Sequence, residues 1–215
     1  MKKAFTMLEL VFVIVVIGIL AAVVIPRTGS NRLQEAATQV LSHIRYTQHL
    51  AMVDDKYDAN DATWYEKRWQ IRFPHTTIAG ETIHYYEVFR DENKQGNSNA
   101  NEEAIDPLTR KTLGDGVTAV GSIPEDAVTN LTKKFGIDAV NGTCVIGGAY
   151  KTIAFDYLGR PYLDVYTGAY SNPVSYSNGG CTIILGNQTE GSVTIKIHPE
   201  TGYACILNGA GTDCI

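Results

Sequence analysis

Glu9 is the first side chain in this sequence with a chemical problem to solve: it is the single charge between Lys3 and Arg27, at the head of an apolar run over residues 10–25. A carboxylate in apolar surroundings is expensive unless something answers it, which makes it a functional candidate. The second set is the four cysteines, Cys144, Cys181, Cys205 and Cys214, all in the C-terminal third. Their even number and the lack of C-x-x-C spacing point to disulfides in an oxidising compartment, and away from redox catalysis or a zinc ribbon.

Other patterns are weaker. Asp91, Asn93, Gln95, Gly96, Asn97 and Glu102 approximate the ligand spacing of an EF-hand calcium loop. Ser98 stands where an apolar residue is usual and no amphipathic helices flank the segment, so residues 91–106 read as a solvated loop. Gly114, Gly116 and Ala119 satisfy G-x-G-x-x-A without a βαβ context and read as a turn before a strand. The histidines, His43, His49, His75, His84 and His198, show no metal-ligand spacing. His43 and His49, six apart on a helix, fall on different faces and read as surface residues. There is no G-x-S-x-G or H-E-x-x-H motif, and Asp54 with Asp55 and Glu102 with Glu103 sit in polar stretches. The sequence therefore offers no catalytic constellation, no cofactor and no metal site.

The elements that must position these residues follow from periodicity. After the apolar run, Leu33, Ala36, Ala37, Val40, Leu41, Ile44 and Ala51 recur at helical spacing, with Gln34, Glu35, Ser42, Arg45 and Gln48 opposite. One helix over residues 5–53 is expected, apolar at 5–26 and amphipathic at 27–53, roughly 70 Å long. Gly18 and Pro26 are its weak points, since glycine lowers helix stability and proline removes a ladder hydrogen bond. Strands are expected over residues 68–73, 82–90, 151–156, 161–165, 181–185, 193–197 and 203–207, rich in β-branched and aromatic residues. Turns are expected at residues 158–160, at Gly186 and Asn187, and at residues 199–202.

The fold class is thus α+β, a long N-terminal helix with a membrane-embedded first half packed on an antiparallel sheet or sandwich over residues 54–215. If the last strands form a meander, Cys181 and Cys205 flank its central strand about 10 Å apart, too far for a bond. Of the two remaining pairings, Cys144 with Cys181 and Cys205 with Cys214 is preferred, because the short second loop ties down the C-terminus. Net charge is −5, and residues 202–215 hold no Lys or Arg. A clustered cationic surface for phosphates is not apparent, and nucleic acid is not an expected partner.

Lys2 and Lys3, then Ala4, Phe5 and Thr6, with Glu9 four residues after Phe5 and Pro26 closing the apolar run, resemble the N-terminus of type IV pilins and type II secretion pseudopilins. The resemblance covers about 25 residues. It implies cleavage by a prepilin peptidase between Ala4 and Phe5, where the family usually has Gly before the cut, and N-methylation of Phe5. Residues 1–4 are then a leader, and Phe5, Thr6 and Glu9 serve assembly, the Glu9 carboxylate facing a neighbour's Phe5 amine. A looser likeness in Trp69, Gln70 and Ile71, in residues 153–162 and in the hairpin at Pro199 and Gly202 is to the GspH/FimT-type minor pilins and pseudopilins.

The resemblance implies a minor subunit of a type II secretion pseudopilus or type IV pilus. Its partners would be the peptidase, other pilin-like subunits, an inner-membrane assembly platform and the membrane itself. The basic residues before the apolar run imply a single-pass inner-membrane protein with a cytoplasmic N-terminus and a periplasmic domain, later extracted into the filament. Within the family the alternatives are a major pilin or a DNA-uptake pilin. Outside it, the alternative is a membrane-anchored extracytoplasmic binding domain or enzyme.

Overall fold

The computed structural model describes residues 6–24, 32–114, 123–124, 126–145, 152–175, 177 and 179–215. The chain divides into two units, Met1–Asn31 and Arg32–Ile215.

The single long helix expected over residues 5–53 is not found. The described residues carry two separate helices, α1 (Met7–Val24) and α2 (Arg32–Val53). Pro26, of a residue type that interrupts helices, lies between them in sequence and outside the described residues. Among the described residues no helix is long and apolar enough to cross a membrane. α1 has 18 residues, a rise of about 27 Å, against a hydrocarbon core of about 30 Å that takes about 20 residues to span. This overturns the membrane-embedded first half, the transmembrane helix and the single-pass inner-membrane location.

The second unit is a mixed α+β domain with three antiparallel sheets among its described residues. The first has the order β4-β1-β6-β7, with β1 Trp69–Arg72, β4 Glu87–Arg90, β6 Thr152–Phe155 and β7 Pro161–Leu163. The second has the order β10-β9-β8-β5, with β5 Ala139–Asn141, β8 Cys181–Asn187, β9 Gly191–Ile197 and β10 Ala204–Ile206. A hairpin of β2 (His75–Ile78) and β3 (Glu81–His84) makes the third. A short helix, α3 (Leu131–Phe135), starts at Asn130, whose side chain accepts from the Lys133 N–H, and ends at Gly136 in the left-handed conformation.

α2 packs on β1 and β6 of the first sheet, on β8, β9 and β10 of the second, and on α3. Its apolar stripe of Leu33, Ala36, Ala37, Val40, Leu41, Ile44 and Ala51 is buried along its whole length. The small residues let the helix approach both sheets, and the branched ones join Ile71, Ile153, Phe155, Ile183, Ile195 and Ile197 in one core.

The strand expectations need three corrections. The run at residues 82–90 is two strands, β3 and β4, separated by Tyr85 and Tyr86, which are buried. Gly186 and Asn187 are not a turn but the end of β8, paired with Ser192 and Gly191. The reversal follows them, where the Asn187 side-chain oxygen accepts from the N–H groups of Thr189 and Glu190. Strands β2 and β5 were not expected: β2 is polar and largely exposed, and β5 is three residues long.

Candidate functional site

In the first unit, Thr6 caps α1: the Glu9 N–H donates to Thr6 Oγ1 at 3.3 Å, and the Leu10 N–H donates to the Thr6 carbonyl at 3.2 Å. Thr6 and Glu9 thus occupy the two ends of a capping-box pattern, with a carboxylate in the first turn where the helix dipole favours one. The side chains from residue 6 to residue 20 are exposed, including Leu10, Val11, Phe12, Ile14, Ile17 and Ile19. These apolar residues surround the helix and do not form one stripe. Gly18 has no heavy atom within 4 Å of where a Cβ would sit. Ala4, Phe5 and Pro26 lie outside the described residues.

In the second unit the cysteines are bonded in two pairs, Cys144 with Cys181 and Cys205 with Cys214. The first bond is in the core, where Cys144 and Cys181 are buried. The second fastens the tail to β10, where Leu207 also pairs with Cys214 and the Ile215 N–H donates to the Ile206 carbonyl at 2.9 Å. His198, directly after β9, sets its Nε2 4.0 Å from Cys205 Sγ and 3.6 Å from Cys214 Sγ.

Residues 91–106 are not a solvated loop. Asp91, Ser98, Glu102, Glu103 and Asp106 are buried. The Asp91 carboxylate accepts from the N–H groups of Gln95 at 3.0 Å and Gly96 at 2.6 Å, and from the Tyr166 hydroxyl at 2.8 Å. Glu102 accepts from the backbone of Asn93 at 3.2 Å and of Asn99 at 3.1 Å, and from Asn99 Nδ2 at 2.7 Å. The residues that mimic calcium spacing therefore answer their own backbone. Burial raises the Tyr166 pKa, and the Asp91 charge raises it further.

His43 is not on the surface either. It is buried against Tyr86, with Nδ1 2.6 Å from the phenolic oxygen, while its Nε2 lies 3.8 Å from Asp106 Oδ1. Gln39 fixes the protons here. Its Oε1 accepts from Lys134 Nζ, and its Nε2 donates to the Val128 carbonyl and to the Tyr86 hydroxyl. Tyr86 has already accepted, so its own proton goes to His43 Nδ1, which leaves the imidazole neutral with its hydrogen on Nε2. Burial lowers the His43 pKa despite the nearby Asp106. Asp106 is pushed up by burial, but hydrogen bonds from the Thr109 hydroxyl and from the N–H groups of Leu108 and Thr109 outweigh this and hold it low. The order Asp106, His43, Tyr86 resembles a relay to a nucleophile, but the phenol is buried and its work is to hold Gln39 and His43 of α2 against the segment that leads into β4.

No protein-family model, curated protein or solved structure matches the chain. The pilin and secretion assignments therefore have no support from a relative. They rest on the N-terminal residues and on the looser likeness in residues 69–71, in residues 153–162 and in the hairpin at Pro199 and Gly202.

Proposed function

We propose that the chain is a pilin-like structural subunit that assembles into a filament through α1, as a minor subunit of a pilus or pseudopilus. The observation that supports this is an 18-residue helix with exposed apolar side chains on all sides and one acid, Glu9, in its first turn. Such a helix can bury its surface against copies or relatives of itself. Cleavage before Phe5 by a prepilin peptidase would create an amine four residues from Glu9. In an apolar bundle that amine and a neighbour's Glu9 would each offset the other's desolvation and set the axial register.

The test is incorporation of Glu9→Ala and Glu9→Gln into filaments, read beside the melting of the second unit. Both variants should fold as the parent does and fail to assemble efficiently. Normal incorporation of both would overturn the pairing. N-terminal sequencing of filament-bound protein should begin at Phe5, and an intact Met1 there would overturn the processing step.

A further inference from the structure

His198, Cys205 and Cys214 are the single group of three His, Cys, Asp or Glu residues among those described whose donor atoms all lie within 4.8 Å of one another. We propose that they form a redox-gated zinc site: oxidised, the two sulfurs are a disulfide; reduced, the two thiolates and the His198 imidazole bind one zinc ion.

The geometry carries this. Zinc takes thiolate sulfur at about 2.3 Å and imidazole nitrogen at about 2.0–2.1 Å in a tetrahedron. Those bond lengths place sulfur and nitrogen about 3.6 Å apart and two sulfurs about 3.8 Å apart. His198 Nε2 already stands 3.6 Å from one sulfur and 4.0 Å from the other. The remaining change is parting of the sulfurs once their bond is broken.

Backbone hydrogen bonds hold the ligands in addition to the bond. The His198 N–H donates to the Tyr203 carbonyl at 2.8 Å, and the Gly202 N–H donates to the His198 carbonyl at 3.2 Å, which fixes the turn between β9 and β10. Cys205 is in β10, paired with Lys196 of β9. The tail holds Cys214 beside Leu207 through its own backbone, and the Asn208 N–H donates to the Asp213 carbonyl at 2.8 Å. Cys214 is exposed while Cys205 is buried, so a reductant and a metal can both arrive from the Cys214 side. The exposure of Cys214 leaves a zinc ion bound here free to take a water as its fourth ligand.

The chemistry balances with a dithiol as reductant. Its thiolate attacks Cys214 Sγ, the bond to Cys205 breaks, and Cys205 leaves as a thiolate. The second thiol of the reductant then displaces Cys214, giving the reductant's disulfide and two protein thiols. Two electrons pass to the protein sulfurs, and zinc displaces their two protons on binding. The C-terminal tail is fastened in both states, first by a covalent bond and then by a metal.

The experiment uses the full chain, reduced under anaerobic conditions with a phosphine, and titrated with Co2+ as a spectroscopic stand-in for zinc. One equivalent should produce thiolate-to-cobalt charge transfer and the intense visible bands of tetrahedral cobalt. Zinc should abolish them, and the oxidised chain should show none. His198→Ala and Cys214→Ser should each weaken binding by roughly tenfold or more, while oxidised His198→Ala melts like the parent. If the reduced chain loses β structure without metal, recovery on adding zinc supports the site and failure to recover overturns it. Absence of bands in the reduced chain overturns it too, as does binding unchanged in both variants, which would place the metal at Cys144 and Cys181.

Discussion

α1 and α2 are consecutive helices of similar length that solve opposite problems. α2 has its apolar residues on one stripe, and the chain covers that stripe with two sheets and α3. α1 is apolar all round and its side chains are exposed through residue 20. A helix with one apolar face is completed by its own domain, whereas a helix with no polar face leaves apolar surface to cover on every side.

The strongest break of that contrast is a pair of truncations. Ile44 is fully buried and Phe12 is 67% exposed. Ile44→Ala should destabilise the second unit by about 2–5 kcal/mol, by lost burial plus the cavity left behind. Phe12→Ala should leave its melting within about 0.5 kcal/mol of the parent. Denaturant unfolding followed by near-ultraviolet circular dichroism measures both. A large effect of Phe12→Ala would mean that α1 is part of the domain's core after all.

The two disulfides sharpen the contrast inside the domain. One spans a sequence separation of 37 and the other a separation of 9. Chain-entropy arithmetic gives about 4 kcal/mol for the first and about 2.5 kcal/mol for the second. Cys144→Ser should therefore cost more than Cys214→Ser, and Cys205→Ser with Cys214→Ser should be no worse than either alone. Urea midpoints decide the order, and equal losses would contradict it.

How much of this was legible in the sequence depends on how local the cause is. The buried stripe of α2 is legible because a 3.6-residue period reports it directly, and β8, β9 and β10 are legible because β-branched residues cluster between turn residues. The joining of α1 and α2 into one helix was a wrong inference, since compatible composition on both sides outweighed Pro26. The burial of Asp91 and Glu102 was hidden because most of their partners are backbone N–H groups, which every residue offers. The placing of His43 beside Tyr86, and of His198 beside two cysteines, was hidden for another reason. Each needs the sheet register before distant residues become neighbours.

His43 makes a pH-dependent version of the contrast. Its pKa is lowered by burial in the folded domain, so the unfolded chain binds the proton more tightly. The stability it contributes is complete above the ordinary imidazole value of about 6.5 and is lost as pH falls through the lower folded value. Protonation puts a donor on Nδ1 against a hydroxyl that already accepts from Gln39, leaving the phenolic proton without its acceptor. Asp106 faces the ring and Lys134 lies nearby. Asp106 is held low and remains charged over this range. Thermal melts should fall between pH 7.5 and pH 5, and His43→Gln should flatten that slope. An equally steep slope in the variant would assign it to other groups.

The smallest effect belongs to the cap of α1. Thr6→Ala removes the oxygen that accepts the Glu9 N–H and should cost about 1 kcal/mol of helix stability. Thr6 is exposed and bonds to Glu9 and Leu10, so the loss should be confined to the first turn. Thr6→Ser, which keeps the acceptor, should restore the parent behaviour. Hydrogen exchange reads this locally: the amides at the start of α1 should lose protection in Thr6→Ala while those of α2 keep theirs. If Thr6→Ala and Thr6→Ser exchange alike, the hydroxyl is not what holds that turn. Glu9 would then be the better candidate for its stability, through the favourable placement of a carboxylate at a helix N-terminus.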